Sequence, residues 1–441
     1  MVILAGGQGK RLGGDAPKVL ATLCGTPALG FVLEAARSLA PERTIVVACY
    51  RKEMVADYLR RFPKVEWVDQ GAPKGTGHAV LAAAPALAAV DGDVLVLFGD
   101  SPLVRASTLL DLLETHRAAG QACTMAPARL DDPTGYGRVV RTAAGGFDRV
   151  VEEKDADDAV KGIREVHCGL AVFRARELFT ALRSVKSENA QHEYYLTDAY
   201  RLVREAGPEV ALRPLADAEE ALGFNTPIDL LECRRRMRRR ILARHQAAGV
   251  EIEDPDSVYI DHEVTIGPRT RILPFTVIRA GVTIGAGCEV GPFSHLRAGA
   301  VLDEGAEVGN FVEVKASRLG PHVKAKHLTY LGDATIGAGT NIGAGTITAN
   351  YDGKAKHRTA IGAKAFIGSG TVLIAPVEVG EGATTGAGAV VRRGAHLPAG
   401  STWVGVPARE VGARGGSAAP STGKSGSDPE SSTRPSQGGG K

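Results

Sequence analysis

From residue 258 onward the apolar positions recur in sixes. Ile260, Ile266, Ile272, Ile278, Ile284, Val290, Leu296, Leu302, Val308 and Val314 hold one register without a break. The register resumes at Ile336 and Ile342, then at Ile361, Ile367, Leu373, Val379, Val391 and Leu397, with Thr385 the one polar position of that last run. An α-helix repeats every 3.6 residues and cannot carry this pattern. A period of six predicts a parallel β-helix, in which each repeat gives one short strand and one turn. The aliphatic side chain points inward, and glycines permit the tight corners. Three faces close a coil in the left-handed form. The register breaks at 318–331 and at 346–360, the latter containing "NYDGKAKHR". Both breaks predict loops, which is where chemistry collects on a rigid scaffold.

The first half has another rhythm. Short apolar runs at 45–48 and 94–98 end on polar or glycine punctuation, and helical patterns cover 29–39 and 54–62. Strands alternating with helices predict a Rossmann-like α/β domain over 1–227, with a parallel sheet covered on both faces. Its ligands belong beyond the carboxyl ends of the strands. Residues 228–248 read as one long helix carrying seven arginines. No aromatic interleaves those charges, so the helix reads as a linker whose cationic stems cover apolar surface, not as a nucleic-acid reader. The β-helix then occupies 249–411. The Gly-, Ser-, Pro- and Thr-rich stretch at 412–441 predicts a disordered tail.

Composition changes this picture little. Of 441 residues, 44% are apolar, enough for two or three cores. Fifty-five glycines and only 5% aromatics agree with a repeat architecture. A net charge of +3 gives no reason to expect nucleic acid or membrane as partner. Six cysteines are scattered without a C-x-x-C pair, which suits reduced thiols in a cytoplasmic protein. Neither a signal peptide nor a membrane span is expected.

The candidate chemistry starts at the first strand. "VILAGGQGKRLGGDAPK" runs from an apolar segment into Gly6, Gly7 and Gly9, then Arg11 and Lys18. Backbone N–H groups in such a turn bind anions, and the cations suit a polyphosphate. The spacing is neither the dinucleotide fingerprint nor a P-loop. The string resembles the signature of sugar nucleotidyltransferases. More of the chain follows it. "QGAPKGTGHA" supplies Gln70, Gly75 and Thr76, "LFGDSPL" Phe98, Gly99 and Asp100, "DDPTGYGRV" Gly137, "VVEEKDA" Glu152, and "GFNTP" Asn225. In the second half, "GPFSHLRAGA", "GNFVEVKASRLG", "KAKHLTYLGDATIGAGTNIGAGTITANYDG" and "IGSGTVLIAPVEVG" match one family. From residue 1 to about 410 the chain resembles the bacterial bifunctional N-acetylglucosamine-1-phosphate uridyltransferases and glucosamine-1-phosphate acetyltransferases.

The resemblance implies two activities that make UDP-N-acetylglucosamine, a precursor of peptidoglycan and lipopolysaccharide. It implies UTP and acetyl-CoA as co-substrates, glucosamine 1-phosphate and N-acetylglucosamine 1-phosphate as substrates, and a homotrimer with shared sites. Leu4, Ala5, Gly6, Gly7, Gln70, Gly75 and Thr76 would hold the nucleotide, with Arg11 and Lys18 as catalytic cations on its phosphates. Phe98, Gly99, Gly137, Glu152 and His167 would line the rest of that site. Asp100 and Asn225 would hold Mg²⁺ through hard oxygens. His327 would be the general base toward the glucosamine amine, a task that suits imidazole. Arg297, Lys315 and Lys356 would clamp the sugar phosphate, with Tyr330 and Asn341 on the sugar. Ala344, Asn350, Tyr351, Ser369 and Ala387 would take acetyl-CoA. Three positions depart from the family: His167 stands where Asn is usual, Gly405 where many members have Arg (with Arg409 nearby), and Ala349 where Cys is common. A histidine facing sugar predicts a pH dependence of kcat/KM between about pH 5.5 and 7.5 that His167→Asn removes. Two rival readings differ at these residues. A single-activity nucleotidyltransferase would not need His327, Lys315, Tyr330 and the NYDG loop. A regulatory exchange-factor subunit would lack the cationic glycine loop and the Asp100–Asn225 pair.

Overall fold

The computed structural model describes residues 1–411; the tail expected at 412–441 lies outside the described residues. Strands Val2–Ala5, Thr44–Ala48, Val65–Asp69 and Asp93–Phe98 form the parallel part of the first sheet, with Val2–Ala5 between Thr44–Ala48 and Asp93–Phe98. The three inner strands are short and almost wholly apolar, as strands buried on both faces must be, while Val65–Asp69 at the edge carries Glu66 and Asp69 and has no buried residue. Glu165–Arg174 then runs antiparallel to both Asp93–Phe98 and Cys123–Arg129, and Val210–Leu212 closes the far edge. The expected parallel sheet is thus present at its core and extended by an antiparallel strand. Eight of the ten residues of Glu165–Arg174 are buried. A run buried on both faces has no alternation, and its direction cannot be read from it.

Helix Pro227–Ala247 links the two halves. Thr226 caps it in a reciprocal box with Asp229, and Pro227 occupies the first turn, where its missing N–H costs nothing. Its arginines are committed within the protein. Arg234 donates to the Thr22 carbonyl at 2.9 Å, Arg244 to that of His262 at 2.9 Å, and Arg236 pairs with Glu232 at 2.8 Å. Arg238 covers the Tyr259 ring at 4.6 Å. One apolar cluster runs from Leu23, Phe31 and Leu103 through Met237 and Ile241 into the β-helix. No helix among the described residues is long and apolar enough to cross a membrane.

The second half is a parallel β-helix with three faces of ten, eight and eight strands. They begin at Glu251–Ile252, Tyr259–Ile260 and Thr265–Ile266. Each coil stacks on the next, so that Ile260, Ile278, Leu296 and Val314 lie in one column. Every aliphatic of the six-residue register is buried. Thr385 is buried too and is satisfied: its Oγ1 accepts from the Gly368 N–H at 3.0 Å and meets Thr371 Oγ1 at 2.9 Å.

One expected loop is absent. Across 318–331, strands Arg318–Leu319, Lys324–His327 and Tyr330–Gly332 continue the three faces, with Leu319, Ala325 and Leu331 pointing inward. Two steps, Val314 to Leu319 and Leu331 to Ile336, are one residue short, and Ala325 is too small to stand out in the pattern. The second break is a true loop, inserted between the inward-facing Thr348 and Ile361. Asp352 holds it, accepting from Lys354 N–H at 2.9 Å, Ala355 N–H at 2.8 Å, His357 at 2.7 Å and Arg393 at 2.6 Å. Both short steps and the insertion fall at the same edge, between the second and third faces.

Candidate active sites

The first cluster forms beyond the carboxyl ends of the parallel strands. Val2–Ala5 ends at Gly6 and Gly7, and Gly9, at φ +65°, starts a short turn over Lys10–Leu12. The Gly7 carbonyl accepts from Lys18 N–H at 3.2 Å, which folds the loop back over the strand ends. Gly99 follows Asp93–Phe98 and bonds the Leu4 carbonyl at 2.9 Å; a Cβ there would lie 2.9 Å from that oxygen. Glycine therefore lets the two strand ends close up, and Asp100 emerges beside Lys18. A cavity of about 210 Å³ is lined by Lys18, Thr76, Phe98, Asp100, Gly137, Glu152, His167 and Asn225.

The Lys18 ammonium pairs with Asp100 and donates to Asn225 Oδ1 at 2.7 Å. Two hard oxygens thus converge on one positive charge, the donor set that suits Mg²⁺. No group of three His, Cys, Asp or Glu side chains among the described residues could hold a metal. A Mg²⁺ at Asp100 and Asn225 would take its remaining ligands from phosphate and water. Glu152 accepts from Thr197 Oγ1 at 2.9 Å, and burial pushes its carboxyl above the usual range.

Leu4, Ala5, Gly6 and Gly7 are not part of the lining, though Leu4 pairs with Phe98 and a Cβ at Gly7 would meet Lys18. Gln70 donates through Nε2 to the Gly75 carbonyl at 3.0 Å and turns Oε1 toward Gly6, where a Cβ would come within 2.9 Å. Gly75, at φ +103°, precedes helix Thr76–Ala82, and Thr76 Oγ1 accepts from Leu196 N–H at 3.0 Å. Arg11 stands apart, on the exposed turn, with no side-chain bond to the cavity.

His167 lines the cavity but does not titrate where expected. Its ring is buried between Phe98 and Tyr200, and burial pushes it down to about 4. The expected pH dependence between 5.5 and 7.5 is therefore corrected: the imidazole is neutral throughout. Wild type and His167→Asn should give kcat/KM profiles of the same shape above pH 5, whatever their absolute values. Stability should respond instead. An imidazole with a lowered folded pKa binds its proton preferentially in the unfolded chain, so stability is full above pH 6.5 and falls as pH drops toward 4. Urea midpoints should decline over that window, and less steeply in His167→Asn.

Tyr136, Thr197 and Tyr200 complete the surroundings and were not singled out from sequence. Tyr136 Oη accepts from Gly223 N–H at 3.3 Å beside the cavity. The glycines flanking Tyr136 in "TGYGR" were its only signal. Thr197 and Tyr200 lie on an amphipathic helix, Leu196–Glu205, that carries no motif.

The second half holds two groups on opposite edges of the second face. At the edge toward the third face stand Arg297, Lys315, Lys356 and Asn350. Arg297 is oriented by Glu313 at 2.7 Å. The Lys315 ammonium meets that of Lys356 and holds it below the usual lysine range. Two cations placed together leave room for an anion. Tyr330 lies across the face toward them, its hydroxyl 3.5 Å from Asn350 Nδ2, and a Cβ at Gly332 would strike its ring. Tyr351, in the inserted loop, bonds the Gly353 carbonyl at 2.8 Å and is exposed.

At the other edge, His327, Ala344, Ser369 and Ala387 form one column. Gly345 N–H bonds the His327 carbonyl at 3.3 Å, Gly370 N–H that of Ala344 at 2.7 Å, and Gly388 N–H that of Ser369 at 2.7 Å. Down to the coil of His327 itself the corner positions of this column are Phe275, Phe293, Phe311 and Leu328, all at positive φ; in the coils after it they are Gly345, Gly370 and Gly388. The corner thus changes from bulky to bare at His327. Asn341 lies on the first face, in register with Lys324. Within one chain no side-chain bond joins His327 to the cationic edge. Gly405, at φ +90°, occupies a hairpin turn after Thr402–Val404, a backbone conformation that an arginine would adopt only under strain.

Residues 1–203 match the MobA-like NTP transferase domain, and 263–298 and 358–393 match the bacterial transferase hexapeptide (six repeats). The Bifunctional protein GlmU of Pelotomaculum thermopropionicum is 42% identical over 410 residues, covering 86% of this chain and 89% of that protein. That of Streptococcus mutans is 38% identical over 425 residues, covering 89% and 92%. That of Thermobifida fusca is 40% identical over 430 residues, covering 89% of each. With a nucleotidyltransferase half and a hexapeptide half matched along nearly its whole described length, the chain belongs to the bifunctional GlmU family.

Proposed function

We infer that the chain makes UDP-N-acetylglucosamine by two transfers, acetylating glucosamine 1-phosphate in the β-helix and uridylylating the product in the α/β domain. The observation that carries this reading is the presence of two polar clusters, one on each half, each built for an anionic substrate. In the α/β domain the glycine loop and Lys18 take the UTP phosphates, and Gln70 with Gly75 takes the base. A phosphate oxygen of N-acetylglucosamine 1-phosphate attacks the α-phosphorus, and the bond to pyrophosphate breaks. Mg²⁺ held by Asp100 and Asn225 would offset the charge on the phosphates. Lys18 shares that task and holds the α-phosphate in line.

In the β-helix Arg297, Lys315 and Lys356 take the sugar phosphate, and Tyr330 and Asn341 orient the ring. His327 removes a proton as the amine attacks the thioester carbonyl, and coenzyme A leaves as the thiol. The small residues beneath His327 give the pantetheine arm a groove along the column, with Asn350 and Tyr351 completing the coenzyme site. The base and the cations lie on opposite edges of one face, which favours a site completed by a neighbouring copy in a homotrimer. The six free thiols and the metabolite substrates suit the cytoplasm. The domains implied are 1–227, 228–248 and 249–411. The test supplies glucosamine 1-phosphate, acetyl-CoA, UTP and Mg²⁺ and reads UDP-N-acetylglucosamine by mass spectrometry. Coenzyme A release without a UDP-sugar would overturn the uridylyl half of the reading, and a UDP-sugar formed without coenzyme A release the acetyl half. A fully active monomer in sedimentation would overturn the shared site.

A further inference from the structure

The cavity in the α/β domain contains a histidine where the family's usual asparagine would offer both a donor and an acceptor. Its surroundings fix which of these the imidazole can offer. His167 lies where the register of Glu165–Arg174 shifts against its neighbour. Its Nε2 is 2.9 Å from the hydroxyl of Tyr200. Tyr200 is fully buried, and its ring is held by Phe147 and Phe173 at centroid distances of 6.2 and 5.0 Å.

The Tyr200 hydroxyl has no other hydrogen-bond partner among the described residues. A phenol has one proton to give. If it accepted from Nε2–H, that proton would be buried with no acceptor, at the full desolvation cost of a lost hydrogen bond. If it donates to Nε2, both groups are satisfied. Nε2 then carries no proton, and a neutral imidazole must carry its proton on Nδ1. Burial keeps the ring neutral, so no second proton is present. Nδ1 has no protein partner among the described residues, and the ring lines the cavity with Glu152 and Asp100.

We propose that Tyr200 locks His167 in the Nδ1-protonated tautomer, so that this chain reads one oxygen of the bound amino-sugar phosphate through a single donor. The proposal rests on the reading of this cavity as the sugar-phosphate site. Tyr200 is a positioning residue, since it acts through His167. The partner of Nδ1–H is an acceptor oxygen, hydroxyl or amide carbonyl, and a ligand presenting only a donor at that point would be rejected.

The test uses the full chain labelled with ¹⁵N-histidine, with His167 assigned by difference from His167→Asn. Two-bond ¹H–¹⁵N spectra are expected to give Nε2 a pyridine-type shift and Nδ1 a pyrrole-type shift. Adding N-acetylglucosamine 1-phosphate with UTP should move the Nδ1–H signal. Tyr200→Phe should mix the tautomers and raise KM for the sugar phosphate about three- to tenfold, the worth of one hydrogen bond, with kcat within about twofold. Acetyl transfer should be unchanged. In a His167→Asn background, Tyr200→Phe should leave KM where the single variant puts it. A pyrrole-type Nε2 overturns the lock, as does the same KM rise in both backgrounds, which would mark Tyr200 as merely structural. An unmoved Nδ1–H signal with ligand bound by calorimetry overturns the sugar contact while leaving the cavity's assignment standing. Absence of calorimetric binding overturns that assignment, and the proposal with it.

Discussion

Asp100→Ala is expected to lower uridylyl transfer at least about a thousandfold while acetyl transfer stays at the wild-type rate. The magnitude follows from what the carboxylate does. It is the only anionic member of the pair that meets Lys18, the other being the neutral Asn225 amide at 2.7 Å. Without it the site loses a cation-binding oxygen, and Lys18 loses the partner that holds it over the strand ends. Charge stabilisation at a transferring phosphoryl group is the main term such a site can supply. Asp100→Asn separates charge from shape: it keeps the side-chain volume and should lose nearly as much. Both rates are read on one preparation, from pyrophosphate release and from coenzyme A release. Loss of both activities in a folded variant would overturn the assignment of one site to each half.

His327→Ala is expected to do the reverse, lowering acetyl transfer about 10²- to 10⁴-fold with uridylyl transfer intact. The side chain projects from an edge of the β-helix and fills no core position, so the fold should survive its removal. The loss should appear in kcat more than in KM for glucosamine 1-phosphate, because the cations proposed to clamp the phosphate stand on the opposite edge of the face. Lys356→Ala should show the opposite split, raising KM with a smaller change in kcat. Equal effects of the two variants on KM would remove the division of labour between the edges.

Most of the architecture was legible because its cause is local. A six-residue period has one structural solution, and Ile260 through Val314 display it without a break. The uninterrupted stretch 228–248, without a glycine or proline, marks the linker helix in the same way. What was not legible depended on distance or on context. The direction of Glu165–Arg174 is set by which strands it pairs with, and a run buried on both faces does not record that. The three strands through 318–331 were hidden because two steps lost a residue and Ala325 stands where a large aliphatic would. In the site, glycine loops and single polar residues after strands were readable, since each has a backbone reason to be there. Tyr200 was not, because its role arises only when a helix packs it under a residue of another strand. The reading of His167 as a titrating group failed for the same reason: burial by Phe98 and Tyr200 cannot be seen from "EVHCGL".

The β-helix also behaves as a ruler with one expansion joint. Its coils shorten by one residue at Leu319 and again at Ile336, then lengthen before Ile361, yet all three faces keep their pairing throughout. The slack is taken up at one edge only. A residue added within a strand would turn the face inside out, because inward and outward positions alternate. A residue added at the joint changes only how far the chain bulges before it re-enters the coil. Length at that edge is therefore nearly free of folding consequence, while it decides how far a loop such as 350–357 reaches. The scaffold thus separates the part of the sequence that must count correctly from the part that can be rewritten for a new substrate.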